Sequence, residues 1–305
     1  MYLQHFQFTA EPFSIAPDPR FLFLSMRHEE ALAHLIYGLR EGGGFVALTG
    51  EVGTGKTTLC YCLIDQLPEN VDLALVFNPK LSSLELIATI CDELGIAYPE
   101  NNTSIKVVTD ALNQYLLEAH AKGRRTVVLI DEAQNLSLDV LEQIRLLTNL
   151  ETKRTKLLQI ILVGQPELNT LLNCKELRQL SQRVTGRYHL IPLDYNETRE
   201  YIRHRLMKVG ARSDVFSVSA QKALFRHSKG IPRLLNTIAD RSLLGAFSNN
   251  QFQVSAGLVD NAAKEILNMG KRFPWQAVLA GLVAGVALVT LGWFAWHYGD
   301  SNERQ

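Results

Sequence analysis

Cysteine is scarce in this 305-residue chain: Cys60, Cys62, Cys91 and Cys174 are four, irregularly spaced. That excludes a disulfide scaffold and a cysteine zinc site, and a reducing compartment is expected for the bulk of the chain. Repeats and low-complexity tracts are lacking, and the 47% apolar content excludes disorder as the general state. The N-terminus, Met1 to Phe8, lacks the basic and apolar regions of a cleaved secretory leader. Net charge is absent too, but only by cancellation. Residues 1–174 carry 13 basic and 21 acidic side chains, residues 175–272 carry 17 and 8, and the tail adds one negative charge. An acidic first part joined to a basic second part points to two modules.

Charge is missing altogether from Phe273 to Trp296. The 20 residues from Ala277 to Trp296 would span about 30 Å as a helix, the thickness of a bilayer's hydrocarbon core. All three tryptophans, Trp275, Trp293 and Trp296, stand at its edges, where amphipathic rings prefer the headgroups. A buried core helix would carry a polar stripe, and this run has none. Lys264, Lys271 and Arg272 precede the run, whereas Asp300, Glu303 and Arg304 follow it, so the large N-terminal part is expected on the cytoplasmic side of the membrane. Residues 297–305 would form a short tail beyond the membrane. Gly281 and Gly285 have the spacing that lets two spans approach closely.

Within the remainder, short β-branched and Leu-rich runs at Phe45–Leu48, Leu73–Phe77, Thr126–Ile130, Leu158–Val163 and Arg187–Ile191 alternate with helical patterns such as Ser104–Lys122 and Leu138–Leu150. This alternation predicts an α/β fold with a parallel sheet covered on both faces. After Pro192 the pattern becomes all helical, over about 197–209, 219–229, 232–248 and 255–268, with Asn196, Ser219 and Ser255 as expected N-caps. The expected organisation is a core over 1–192, a helical lid over 193–270, a transmembrane helix over 277–296 and the tail over 297–305.

Gly50-Glu51-Val52-Gly53-Thr54-Gly55-Lys56-Thr57 matches G-x-x-x-x-G-K-[ST], between a predicted strand and a helical run starting at Thr58. Such a loop points backbone N–H groups at a polyphosphate, and the following helix turns its positive end to the same anion. Lys56 is expected on the β- and γ-phosphates and the Thr57 hydroxyl on Mg²⁺. The apolar strand Val127-Val-Leu-Ile ends in Asp131-Glu132. Asp131 would hold Mg²⁺ and Glu132 would orient and deprotonate the attacking water, a pair that argues for hydrolysis. Gln165, at the end of the next strand, would reach the water or the γ-phosphate if that strand neighbours both motifs. Arg183 or Arg187 would project across a subunit contact toward a neighbour's nucleotide. Structural arginines are far commoner than such fingers. Arg233 would report nucleotide from the helical module, and it reads equally well as a surface charge.

Together these residues resemble the AAA+ ATPases of the general secretion pathway protein A (ExeA/GspA) family. The likeness runs through Pro12-Phe13, Pro17-Asp-Pro-Arg-Phe21, His28-Glu-Glu-Ala-Leu, Gly42-Gly-Gly-Phe-Val, the P-loop, Asn78-Pro79 and Cys91-Asp-Glu-Leu-Gly95. It continues through Asp131-Glu-Ala-Gln134, Gly164-Gln-Pro-Glu-Leu168 and Gly230-Ile-Pro-Arg233. Within the family the MSHA pilus-biogenesis form (MshM) is nearest, since the chain stops just after the span and leaves too few residues for a peptidoglycan-binding domain. The resemblance implies a P-loop NTPase (AAA+) core of five parallel strands, a C-terminal helical lid, ATP at their junction, and homo-oligomeric rings. It also implies the sensor-1 place for Gln165, the sensor-2 place for Arg233 and the finger for Arg183. The implied partners are pilus or secretion assembly proteins at the inner membrane. A nucleic-acid-binding AAA+ regulator of the transposition or replication type is the alternative, which the basic second module permits and the span opposes. A nucleotide-bound structural switch without rapid turnover is the third reading.

Overall fold

The computed structural model describes residues 1–269 apart from 17, 41–43, 78–79, 100–103, 153–154 and 212–214. The expected span over 277–296 and the tail over 297–305 lie outside the described residues, as do Pro17, Gly42, Gly43, Asn78 and Pro79 of the resemblance. Among the described residues no helix is long and apolar enough to cross a membrane.

The chain begins with α1 (Tyr2–Phe6) and α2 (Met26–Arg40), then alternates β1 (Gly44–Gly50), α3 (Lys56–Asp65), β2 (Val71–Val76), α4 (Ser83–Glu93), α5 (Ile105–Ala121) and β3 (Arg125–Ile130). There follow α6 (Leu138–Leu147), β4 (Leu158–Gly164), α7 (Glu167–Leu172), α8 (Arg178–Ser181) and β5 (Val184–Leu190). Four helices close the described chain: α9 (Tyr195–Lys208), α10 (Val218–Ser228), α11 (Pro232–Ser248) and α12 (Ala256–Met269).

All five strands are parallel, in the order β2-β3-β4-β1-β5. The strand period of two divides the core. Phe45, Ala47, Val128, Ile130, Ile160 and Leu162 pack with α4 to α8 on one face, while Val46, Leu48, Leu129, Ile161 and Val163 pack with α2 and α3 on the other. Burial on both faces explains why β1 and β4 read as largely apolar runs rather than alternating ones. β4 lies between β1 and β3, so the loops after these three strands meet at one end of the sheet.

A separate apolar cluster joins α9 to α12, and Tyr2, Phe8, Phe13 and Phe21 from the start of the chain belong to it. Arg205 holds this N-terminal segment down. Its guanidinium donates to the carbonyls of Pro12 and Ser14 and lies over the rings of Phe21 and Tyr201.

Several boundaries differ from the sequence pattern. Helix α9 is capped by Asp194, not Asn196: Asp194 accepts from the Glu197 amide, and Glu197 accepts from the Asp194 amide. Helix α10 is capped by Ser217, whose hydroxyl accepts from Ala220, not by Ser219. Strand β5 starts at Val184, earlier than its apolar residues indicate, because its outer face stays exposed and reads polar.

Candidate nucleotide site

The residues of the P-loop lie between β1 and α3, and α3 begins at Lys56 itself. Gly53 and Gly55 have φ of 82° and 105°, the left-handed region that glycine enters without steric cost. The loop is braced from within, since the Thr54 hydroxyl donates to the Glu51 carbonyl at 2.9 Å. Lys56 is buried and its ammonium donates to the carbonyls of Gly50 and Glu51, at 2.8 and 3.0 Å. Burial lowers the Lys56 pKa, while Glu132, Asp131 and Glu51 favour the charged form.

The Thr57 hydroxyl donates to Asp131 Oδ2 at 2.8 Å, although 74 positions separate the two in sequence. Asp131 is only 4% exposed, and its other oxygen accepts from the Glu132 amide at 2.8 Å. A hydroxyl and a carboxylate in contact supply the hard oxygen donors that Mg²⁺ takes, with phosphate and water filling its remaining positions. Among the described residues no cluster of three His, Cys, Asp or Glu offers a cation a cage made by protein alone.

Glu132 sits at φ 54° and ψ 35°, left-handed for a residue with a full side chain, at the entry to a 3₁₀ turn over Ala133–Asn135. Its Oε2 accepts from Gln165 Nε2 at 3.1 Å and from Gln134 Nε2 at 2.5 Å. The neighbouring strands β3 and β4 thus bring Gln165 to the acidic pair. In the sequence Gln134 stands out only within the Asp131-Glu-Ala-Gln134 stretch, and its contacts depend on a strand adjacency that spacing does not reveal.

The helical module meets the P-loop directly. The Arg233 amide donates to the Gly53 carbonyl at 3.2 Å, and a Cβ on Gly53 would stand 2.6 Å from the Arg233 Cβ. Arg233 therefore lies at the loop, on the first turn of α11. His28 supports the loop from the other side: its ring nitrogens bond the Ser25 hydroxyl at 2.8 Å and the Thr54 carbonyl at 3.1 Å. The carbonyl can only accept, so Nε2 donates, and in the neutral ring Nδ1 accepts from the Ser25 hydroxyl. Burial lowers the His28 pKa accordingly.

Arg183 and Arg187 are not brought to this chain's own P-loop. Arg183 precedes β5 at the opposite end of the sheet, where it donates to the Arg145 carbonyl and to the Thr148 hydroxyl at 2.8 Å. Arg187 bonds Asn173 and Ser181 on the exposed face of β5. Glu51, Val52 and Thr58 are exposed at the rim of the loop.

A family model for the AAA domain matches residues 39–172. The chain is 48% identical to general secretion pathway protein A of Aeromonas hydrophila over 298 residues, 98% of this chain and 54% of that protein. It thus spans about half the length of that curated relative. Among solved structures it is similar to Cdc6p from Pyrobaculum aerophilum, with a TM-score of 0.67 and 20% identity over 83% of this chain and 70% of that one. RuvB from Thermotoga maritima, a Holliday-junction branch-migration motor, gives a TM-score of 0.55 and 17% identity over 82% and 74%. At such identities the two structures share the fold and no more.

Proposed function

We propose that this AAA ATPase, a homologue of general secretion pathway protein A, uses hydrolysis of magnesium-bound ATP to drive assembly of a type IV (MSHA-type) pilus or a type II secretion apparatus at the bacterial inner membrane. The observation that carries the ATPase reading is the Thr57–Asp131 hydrogen bond, which joins the P-loop hydroxyl to the second motif's buried carboxylate. The P-loop amides, from Gly50 to Thr58, wrap the phosphates at the positive end of α3, and Lys56 turns from the loop carbonyls to the β- and γ-phosphates. Thr57 and Asp131 would hold Mg²⁺, which when bound would neutralise charge on the phosphate oxygens.

Glu132 accepts a proton from the attacking water as its oxygen bonds to the γ-phosphorus, and the bond to the β-phosphate oxygen breaks, leaving ADP with that electron pair. Gln165 steadies Glu132 through the 3.1 Å bond. Arg233 contacts the phosphates from the helical module, so that hydrolysis changes how α11 sits on Gly53. Arg183 serves a neighbour's site in a ring of copies and is therefore expected to leave its Thr148 bond on assembly. The working units are a core over 1–192 and a lid over 193–270. A helix over 277–296 anchors the ATPase to the cytoplasmic face, where an inner-membrane partner receives the work.

The test is turnover of the full chain with and without Mg²⁺. Glu132→Gln should bind ATP as the parent does and lose at least about a hundredfold in kcat. Turnover equal to the parent's would overturn the assignment of the base.

A further inference from the structure

The amide of Gln134 has a geometry that nucleotide binding does not require. One end donates from Nε2 to Glu132 Oε2, and the other accepts at Oε1 from the Gln165 backbone amide at 3.0 Å. Gln165 returns to the same Glu132 oxygen through its own side chain, which closes a ring of three hydrogen bonds across β3 and β4. Gly164 leaves the space for it: a Cβ there would stand 2.8 Å from Gln134 Oε1. The left-handed backbone of Glu132 turns the chain so that a residue two positions on can reach back to the carboxylate.

From this ring we infer that Gln134 is a positioning residue for hydrolysis: it fixes Oε2 of Glu132 and ties it to the Gln165 backbone, which leaves Oε1 as the oxygen that takes the proton from water. This rests on the reading of Glu132 as the base. Both donors converge on one oxygen, so the carboxyl is held against rotation about its terminal torsion, which is otherwise broad. The remaining lone pairs then keep one direction, and the base need not be reoriented as the water attacks. The residue acts through Glu132.

Two variants of the full chain separate this from a merely structural role. Gln134→Ala removes both bonds and should lower kcat about tenfold with KM for ATP within about twofold. Gln134→Glu keeps the acceptor for the Gln165 amide but loses the donor. Loss of the donor with the Gln165 tether retained should still lower kcat several-fold, with KM for ATP unchanged within about twofold. A Gln134→Ala kcat equal to the parent's, or a loss shared between kcat and KM in both variants, would overturn the inference. Glu132→Gln measured alongside keeps the two readings apart: if it is inactive while Gln134→Ala is not impaired, the base stands and the positioning role falls.

Discussion

At the residue scale the site is a set of short polar contacts that would each be costly if broken. Thr57→Val keeps the shape of the side chain and removes the donor to Asp131 Oδ2. Leaving a buried carboxylate one partner short costs about 1–3 kcal/mol. With Thr57 proposed as a Mg²⁺ ligand, the metal concentration for half-maximal turnover should also rise at least about tenfold. A metal titration of the variant checks this, and an unchanged midpoint would remove Thr57 from the metal site. His28 gives a prediction of a different kind. Burial depresses its folded pKa below the ordinary 6.5. The unfolded chain therefore takes up this proton first as pH falls, and stability is full above about 6.5 and declines on passing below it. His204, depressed mainly by burial and by Lys208 nearby, adds in the same direction. The urea midpoint should fall between about pH 8 and pH 5.5, and His28→Asn should lose less over that interval than the parent. An equal loss would place the effect elsewhere.

Lys56, Thr57, Asp131 and Glu132 were legible because a phosphate grip and an acidic strand end leave local patterns. His28 and Gln134 were not. Their partners Thr54 and Gln165 lie 26 and 31 positions away, and only the packing of α2 under the loop and of β4 beside β3 brings them in.

At the scale of elements, helices were easier to detect than to bound. Between Pro192 and Glu197 both Asp194 and Asn196 are chemically able caps. The deciding signal was the Glu three residues after Asp194, which makes a reciprocal box that Asn196 cannot make. Asp194→Ala should accordingly cost about 1 kcal/mol, while Asn196→Ala changes stability by less than about 0.5 kcal/mol, as denaturant midpoints would record. The turn between α10 and α11 is more demanding. Gly230 has φ of 75°, its carbonyl accepts from the Leu193 amide at 3.0 Å, and a Cβ there would stand 1.8 Å from the Leu193 carbonyl oxygen. No side chain fits without moving the crossing of the two segments. Since Arg233 follows three residues later and bonds Gly53, that movement is transmitted to the P-loop. Local spacing does not reveal this demand on Gly230, because the segment it crosses lies 37 positions earlier.

At the scale of the molecule, the sheet has apolar clusters on its two faces, and α9 to α12 form their own. The sequence pattern did not reveal that the first residues of the chain enter the helical cluster. Phe8, Phe13 and Phe21 are aromatic residues in a segment with too little periodicity to assign to either module. Phe13 is 1% exposed and meets Phe216 edge to face at 5.7 Å between centroids, and the carbonyl of its neighbour Pro12 is held by Arg205. After this anchorage the chain passes to Ser25 and His28 under the P-loop. The helical module is thus tied to the nucleotide site twice, through the N-terminal segment and through α11. Phe13→Ala should remove about 3–5 kcal/mol of packing from the helical cluster alone. Because the sheet keeps its own clusters, amide exchange should accelerate in α9 to α12 while β1, β3 and β4 retain their protection. Equal acceleration in the strands would mean that the two cores unfold as one cooperative unit, and the N-terminal segment would then be a fastening for the whole fold rather than for the helical module.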